Sequence, residues 1–276
     1  MPSNCFSGLA KYFSAFLHKP VRTVFASTKE HFWDAFSLIY EQYYRHGFIP
    51  FNEKKIFFTP YLALPESRVC IGYSQQNIPI CTSTIVIDSE LGLPSDSTFN
   101  KELNLLRKQN RKLAEITCLA SKERSFFPSN LFPVWKLLYH YSKTKKVTDI
   151  VVSIRPKHRL FYERFLCFEP VSGLKTYKGV YNNVPVILEK LDLRLISKKL
   201  AKSKKSNLSF VSKFFMNLNL VEIFEISKFK NMDPEIFWFF FIKNQKIFPT
   251  LPPAFQALFS LEYDLILYEE KTQKAA

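Results

Sequence analysis

The chain has 276 residues, 47% of them hydrophobic, enough to bury a sizeable core in one large domain with an appendage. No apolar run approaches the roughly 20 residues that span a bilayer, and the longest, Ile236 to Ile242, is far too short. The net charge of +15 calls for an acidic partner, yet no helix-turn-helix, zinc-finger or RNA-binding aromatic signature is present, so no nucleic acid is expected.

Taken in order, Leu9, Tyr12, Phe13, Phe16 and Leu17 recur at helical spacing and Pro20 ends the run, giving a short amphipathic helix within residues 1–24. Its uses are to cap the core or to rest on a membrane surface. The first twenty-odd residues carry scattered Lys and His and lack a compact apolar stretch with a cleavage site, so no signal peptide is expected. From Ala26 to Pro50, Phe32, Ala35, Phe36, Ile39, Tyr40 and Tyr43 form a helical stripe that Gly47 stops. Tyr44, Arg45 and His46 stand at its end. Arg68 to Tyr73 and Ile78 to Ile87 read as a hairpin around a polar turn. Pro94, Ser95 and Asp96 open a helix whose buried side is Phe99, Leu103, Leu105 and Leu106.

Arg111 to Ser121 then reads as a mostly buried strand, with Leu113, Ile116 and Leu119 apolar. Glu115 does not belong on such a strand. Burying it unpaired costs about 2–7 kcal/mol or more. Either it pairs with a cation such as Arg111, or it is kept ionisable for proton chemistry. A helix follows with Pro133 in its first turn and Val134, Leu137, Leu138 and Tyr141 on its stripe. Residues 147–156 form a β-branched strand ended by Pro156, Lys157 begins a short helix, and Val184 to Leu195 is a last core strand.

Helix and strand thus alternate irregularly around a mixed sheet, the pattern of an α/β (α+β) domain. Only six glycines occur and no phosphate-binding Gly loop is visible. A basic connector, Arg194 to Ser209, marks a boundary. Residues 210–276 read as strongly apolar helices that must fold onto the core or grip something greasy. Five cysteines, Cys5, Cys70, Cys81, Cys118 and Cys167, are odd in number and never in CxxC spacing. They argue against a disulfide framework and a metal site, and for the cytoplasm of a bacterium, with peripheral contact at the inner membrane kept open.

Three blocks together resemble one family: residues 27–49, with a helix ending in Tyr-x-x-x-Gly-aromatic-Ile; residues 83–121; and residues 149–171 followed by 182–193. They are similar to bacterial long-chain N-acyl amino acid synthases, GNAT-fold relatives of the acyl-homoserine lactone (autoinducer) synthases. The resemblance covers roughly residues 25–195 and makes them a GNAT-like N-acyltransferase domain, with residues 196–276 as linker and helical extension. It implies transfer of a fatty acyl group from the phosphopantetheine thioester of acyl carrier protein to the amino group of an amino acid, with no cofactor bound permanently.

On this resemblance Glu115 matches the strand carboxylate at the amine-acceptor site, and Tyr162 the helix tyrosine near the sulfur. Thr117, Cys118, Leu119, Arg155 and His158 would hold the acyl donor; Arg45 and Arg111 would hold the acceptor. An amine attacks a thioester only as the free base, so a carboxylate with a raised pKa suits Glu115. Backbone N–H groups near Thr117 to Leu119 can take the thioester carbonyl or the pantetheine arm. Tyr162 can equally pack its helix with Phe161. Two departures stand out: Arg155 in place of an Asn before Pro156, and Cys167 in place of a Gly that would tolerate positive φ. The Gly loop of acetyl-CoA users is absent, which favours carrier protein over coenzyme A as donor. Lys143, Lys145, Lys146, Lys198, Lys199, Lys202, Lys204 and Lys205 are candidates for docking an acidic carrier. The rival readings are an acetyl-CoA-dependent acetyltransferase and a non-catalytic membrane- or protein-binding module that keeps the fold.

Overall fold

The computed structural model describes residues 21–123, 130–196, 215, 217–227 and 232–265. The helix expected in residues 1–20, and Lys198, Lys199, Lys202, Lys204 and Lys205, lie outside the described residues. Residues 21–24 were grouped with the N-terminal helical segment and no strand was expected there; instead Arg22–Phe25 is an edge strand, β1, antiparallel to β2 (Arg68–Tyr73). Its β-branched Thr23 and Val24 suit that conformation.

Helix α1 (Lys29–Arg45) begins where the Thr28 hydroxyl accepts the His31 N–H at 3.3 Å. It buries the expected stripe, including Phe32, Ala35, Phe36 and Ile39, and Gly47 beyond it takes φ +69°. Then come β2, β3 (Pro79–Ile87), α2 (Asp96–Lys108), β4 (Leu113–Ser121), α3 (Leu131–Thr144), β5 (Asp149–Ile154) and α4 (Arg159–Phe165). Two short strands, β6 (Glu169–Pro170) and β7 (Lys175–Thr176), precede β8 (Pro185–Asp192).

The sheet runs β1-β2-β3-β4-β5-β8-β6, with β7 also on β8. Every pair is antiparallel except β4–β5. One face carries a cluster containing Phe32, Phe36, Leu113, Val151 and Leu188; the other carries Ala114, Trp135, Leu138, Ile150 and Phe161. Two apolar layers thus sandwich the sheet.

The apolar tail belongs to the first layer. Its described part includes helices α5 (Leu220–Ser227) and α6 (Pro234–Phe237), a π-helical turn (Trp238–Asn244), a 3-10 turn (Phe248–Thr250) and α7 (Pro253–Glu262). Phe237, Phe240, Phe241 and Phe259 are fully buried, and Phe240 meets Phe36 and Phe58 at ring-centroid distances of 5.0 and 5.9 Å. Helix α5 turns its carboxylates inward. Glu222 pairs with Lys136 at 2.8 Å and Glu225 accepts the Phe25 N–H at 3.0 Å, so the helix straps α3 to the free edge of β1. No helix among the described residues is long and apolar enough to cross a membrane.

Candidate active site

Strands β4 and β5 pair only from Leu113↔Asp149 to Glu115↔Val151. Glu115 is therefore the last paired residue before the two strands separate. A register shift opposite Thr82 and Thr84 puts an extra residue into β4, and Cys118 there takes φ +49°. Such a bulge bends a strand and resets its alternation. Leu113 faces the first layer and Ile116 the second, but Cys118 and Ala120 both return to the first. The β5-facing edge of Ile116 to Leu119 has no strand partner.

A cavity of about 490 Å³ fills this gap and reaches both faces of the sheet. On the first face it is walled by Tyr43, Tyr61, Tyr177, Glu115 and Ser153. On the second it meets Trp135, Phe161 and Tyr162, with Arg155 and His158 on the stretch after β5. Of the residues expected from sequence, Glu115, Thr117, Cys118, Leu119, Arg155, His158 and Tyr162 share this one cavity.

Glu115 is 1% exposed and makes no contact with Arg111. Its Oε2 accepts the Ser95 N–H at 2.8 Å and its Oε1 accepts the Ser95 hydroxyl at 2.6 Å. Ser95 is the residue just before α2, so the carboxyl sits at a helix N-terminus, which favours its anion. Burial wins nonetheless and lifts its pKa from 4.5 to about 7, with Asp96 and Asp88 adding to the rise. Arg107 holds those two aspartates at 2.6–2.8 Å and so limits their effect.

The other side chains are set by burial in the same way. The Tyr162 phenol is pushed well above its ordinary value by burial, then by Glu189, so it stays protonated at neutral pH. Its ring packs edge-on against Phe168, 5.3 Å between centroids, so the packing role coexists with a place on the cavity wall. His158 is lowered to about 4 by burial and then by Lys157 and Arg155, so it is neutral. Burial pushes the Cys118 thiol up to about 12, which rules it out as a neutral-pH nucleophile. Arg155 stands 5.8 Å over the Phe48 ring. Cys167 adopts φ +60°, so the turn expected of a glycine forms with a side chain present.

Two expected residues are not brought to the cavity. Arg111 forms a clamp with Asp149 and Asp192, tying the start of β4 to β5 and β8. Arg45 is exposed at the end of α1. Conversely, Ser153, Tyr61 and Tyr177 were not singled out, and Ser95 and Tyr43 were read only as parts of helices. Ser153 carried a readable signal, a hydroxyl in the middle of Val-Val-Ser-Ile; Tyr177 carried none, since it lies in an irregular stretch after β7. Among the described residues no group of His, Cys, Asp and Glu could hold a metal ion.

A profile of the N-acyl amino acid synthase FeeM family matches residues 34–192, more than half of the chain. The chain belongs to the FeeM family of N-acyl amino acid synthases. Like the rest of that family it is an acyltransferase. The solved structure of FeeM, an N-acyl amino acid synthase from uncultured soil microbes, superposes with a TM-score of 0.59 at 23% identity, covering 67% of this chain and 98% of that one. The AHL synthase LasI superposes more loosely, with a TM-score of 0.46 at 13% identity, over 63% of this chain and 89% of that one. No curated protein sequence matches the chain. The FeeM-family region ends at Asp192, the last residue of β8, so the phenylalanine-rich tail lies beyond it although it packs into the same core.

Proposed function

We propose that this FeeM-family enzyme moves a long-chain fatty acyl group from the phosphopantetheine thioester of acyl carrier protein to the amino group of an amino acid. The carrying observation is Glu115, a buried strand carboxyl that lines a gap opening to both faces of the sheet, where burial pushes its pKa up to about 7. A through-sheet cavity lets the thioester enter from one face and the amine from the other, meeting at the unpaired edge of β4. Glu115 takes the proton that the amine sheds as it attacks. Backbone N–H groups near Thr117 to Leu119, on the edge of β4 that has no strand partner, polarise the thioester carbonyl. Tyr162, held protonated, donates a hydrogen bond to the departing thiolate, while solvent supplies the proton itself.

The donor side is apolar, with Trp135, Phe161 and Leu131 on its wall, as an acyl chain requires. Arg155 carries the permanent positive charge on the cavity wall and suits a phosphate or carboxylate there. The net charge of +15 suits an acidic carrier, and Lys143 and Lys146 at the end of α3 are candidate contacts. Lys145 is already paired with Glu66 at 2.6 Å.

Expression in a heterologous host, lipid extraction and mass spectrometry test this directly. Wild type is expected to yield new N-acylated amino acids that Glu115→Gln does not. Purified enzyme offered dodecanoyl-acyl carrier protein or dodecanoyl-CoA separates the two donors. No acylated amine from either donor would overturn the reading.

A further inference from the structure

Glu115 does not face the acceptor alone. Its carboxylate is reached through two serines from different parts of the chain. The Ser95 hydroxyl donates to Glu115 Oε1 at 2.6 Å, and Ser95 Oγ lies 2.5 Å from Ser153 Oγ. A hydroxyl has one proton to give and two lone pairs. Since the Ser95 proton goes to Glu115, the hydrogen bond between the serines has Ser153 as donor. Ser153 is left with an unused lone pair, and it stands on the cavity wall, on the same face as Glu115. Ser95 itself is fully buried and does not line the cavity.

We infer that Ser153 is the group that receives the acceptor amine's proton and that Ser95 passes it on to Glu115. This rests on the acyl-transfer reading above and assigns its proton path. The amine nitrogen forms a bond to the thioester carbonyl carbon. One N–H proton moves to Ser153 Oγ as the Ser153 proton moves to Ser95 Oγ and the Ser95 proton moves to Glu115 Oε1. The C–S bond breaks, the thiolate leaves with the bonding pair and takes a proton from solvent, and Glu115 later returns its proton to solvent. After one transfer every hydroxyl in the chain points the other way, so the chain must reset before the next turnover. The groups facing Glu115 are Ser95, Asp96 and Asp88, the latter two held by Arg107, together with Tyr43, Tyr61, Tyr177 and Cys118. Burial pushes the tyrosine phenols up and the Cys118 thiol up to about 12, so none of them competes for the proton near pH 7.

The experiment uses the full chain with dodecanoyl-acyl carrier protein and an equimolar mixture of the twenty amino acids. Ser153→Ala is expected to lower kcat about tenfold or more with the donor KM unchanged. Ser153→Thr, which keeps a hydroxyl on a strand, is expected to restore kcat to within about threefold. Ser95→Ala removes the middle hydroxyl and one hydrogen bond to the anion, so it should lower kcat and also move the pH limb of kcat/KM above that of wild type. Wild type should show a curved dependence of rate on D2O fraction, the mark of several protons in flight, and Ser153→Ala a straighter one. Infrared titration of the Glu115 carboxyl gives a readout without turnover: its pKa should rise in both alanine variants. A Ser153→Ala enzyme within twofold of wild type, with the same isotope dependence, overturns the relay while leaving acyl transfer standing. An unmoved Glu115 titration in both variants overturns it whether or not the enzyme turns over. Absence of acyl transfer in wild type strikes the function instead.

Discussion

Glu115→Gln separates the stability of the Glu115 site from its chemistry. The carboxyl is buried, and its pKa rises from 4.5 to about 7. Between those values the folded state binds a proton that the unfolded state has released. Folding stability therefore falls as pH rises through this window. At about 1.4 kcal/mol per pKa unit, the loss is about 3 kcal/mol, complete by about pH 8. Glutamine has the same shape and no proton to lose. Its carbonyl can still accept the Ser95 N–H and its amide can donate to the Ser95 hydroxyl. The variant should be the more stable protein above pH 7, with the advantage shrinking toward acid. Urea denaturation followed by tryptophan fluorescence at pH 5, 6, 7 and 8 measures it. A stability difference that stays flat across this range, within about 0.5 kcal/mol, would refute the reasoning, because the carboxyl would then be ionised at its ordinary pKa. The same variant should lose about 10²–10⁴-fold in kcat/KM. Wild-type kcat/KM for the acyl donor, at a fixed concentration of free-base amino acid, should climb with pH and level off above about 7 as the base form of Glu115 fills.

Other outcomes follow from the packing. Arg111→Gln removes the bidentate partner of the buried Asp149 and Asp192, leaving them to Lys190 at 3.7 Å and Arg194 at 3.2 Å, and should cost about 3 kcal/mol in denaturation, while amino-acid KM stays within about twofold; a raised KM at unchanged stability would return Arg111 to the acceptor site. Phe240→Ala removes a ring enclosed by Phe32, Phe36 and Phe58, with an expected loss of about 3–5 kcal/mol; a loss below about 1 kcal/mol would detach the tail from the core. Cys167→Gly relieves a side chain held at φ +60° and should stabilise by about 0.5–1 kcal/mol after the added unfolded-state entropy of glycine, read as a rise in Tm. A fall in Tm would mean that the Cys167 side chain contributes more packing than its backbone costs.

Much of this protein follows from local pattern. The stripe from Phe32 to Ile39, the two apolar runs Arg68 to Tyr73 and Ile78 to Ile87 around a polar turn, and the β-branched run ending at Pro156 each fix an element because side-chain pattern and backbone sterics act within a few residues. Glu115 was visible for the same reason, as a charge where burial penalises one. The partner of that charge was not. Whether Glu115 met Arg111 or a hydroxyl depended on which way each side chain left its strand, and Arg111 turned to two aspartates 38 and 81 residues away. Ser95 and Ser153, 58 residues apart, touch only because α2 starts beside the place where β4 leaves β5. That separation, the bulge at Cys118 and the cavity between the strands are properties of paired backbones. No single segment encodes them, since a hydrogen-bond ladder and its interruption need both strands present.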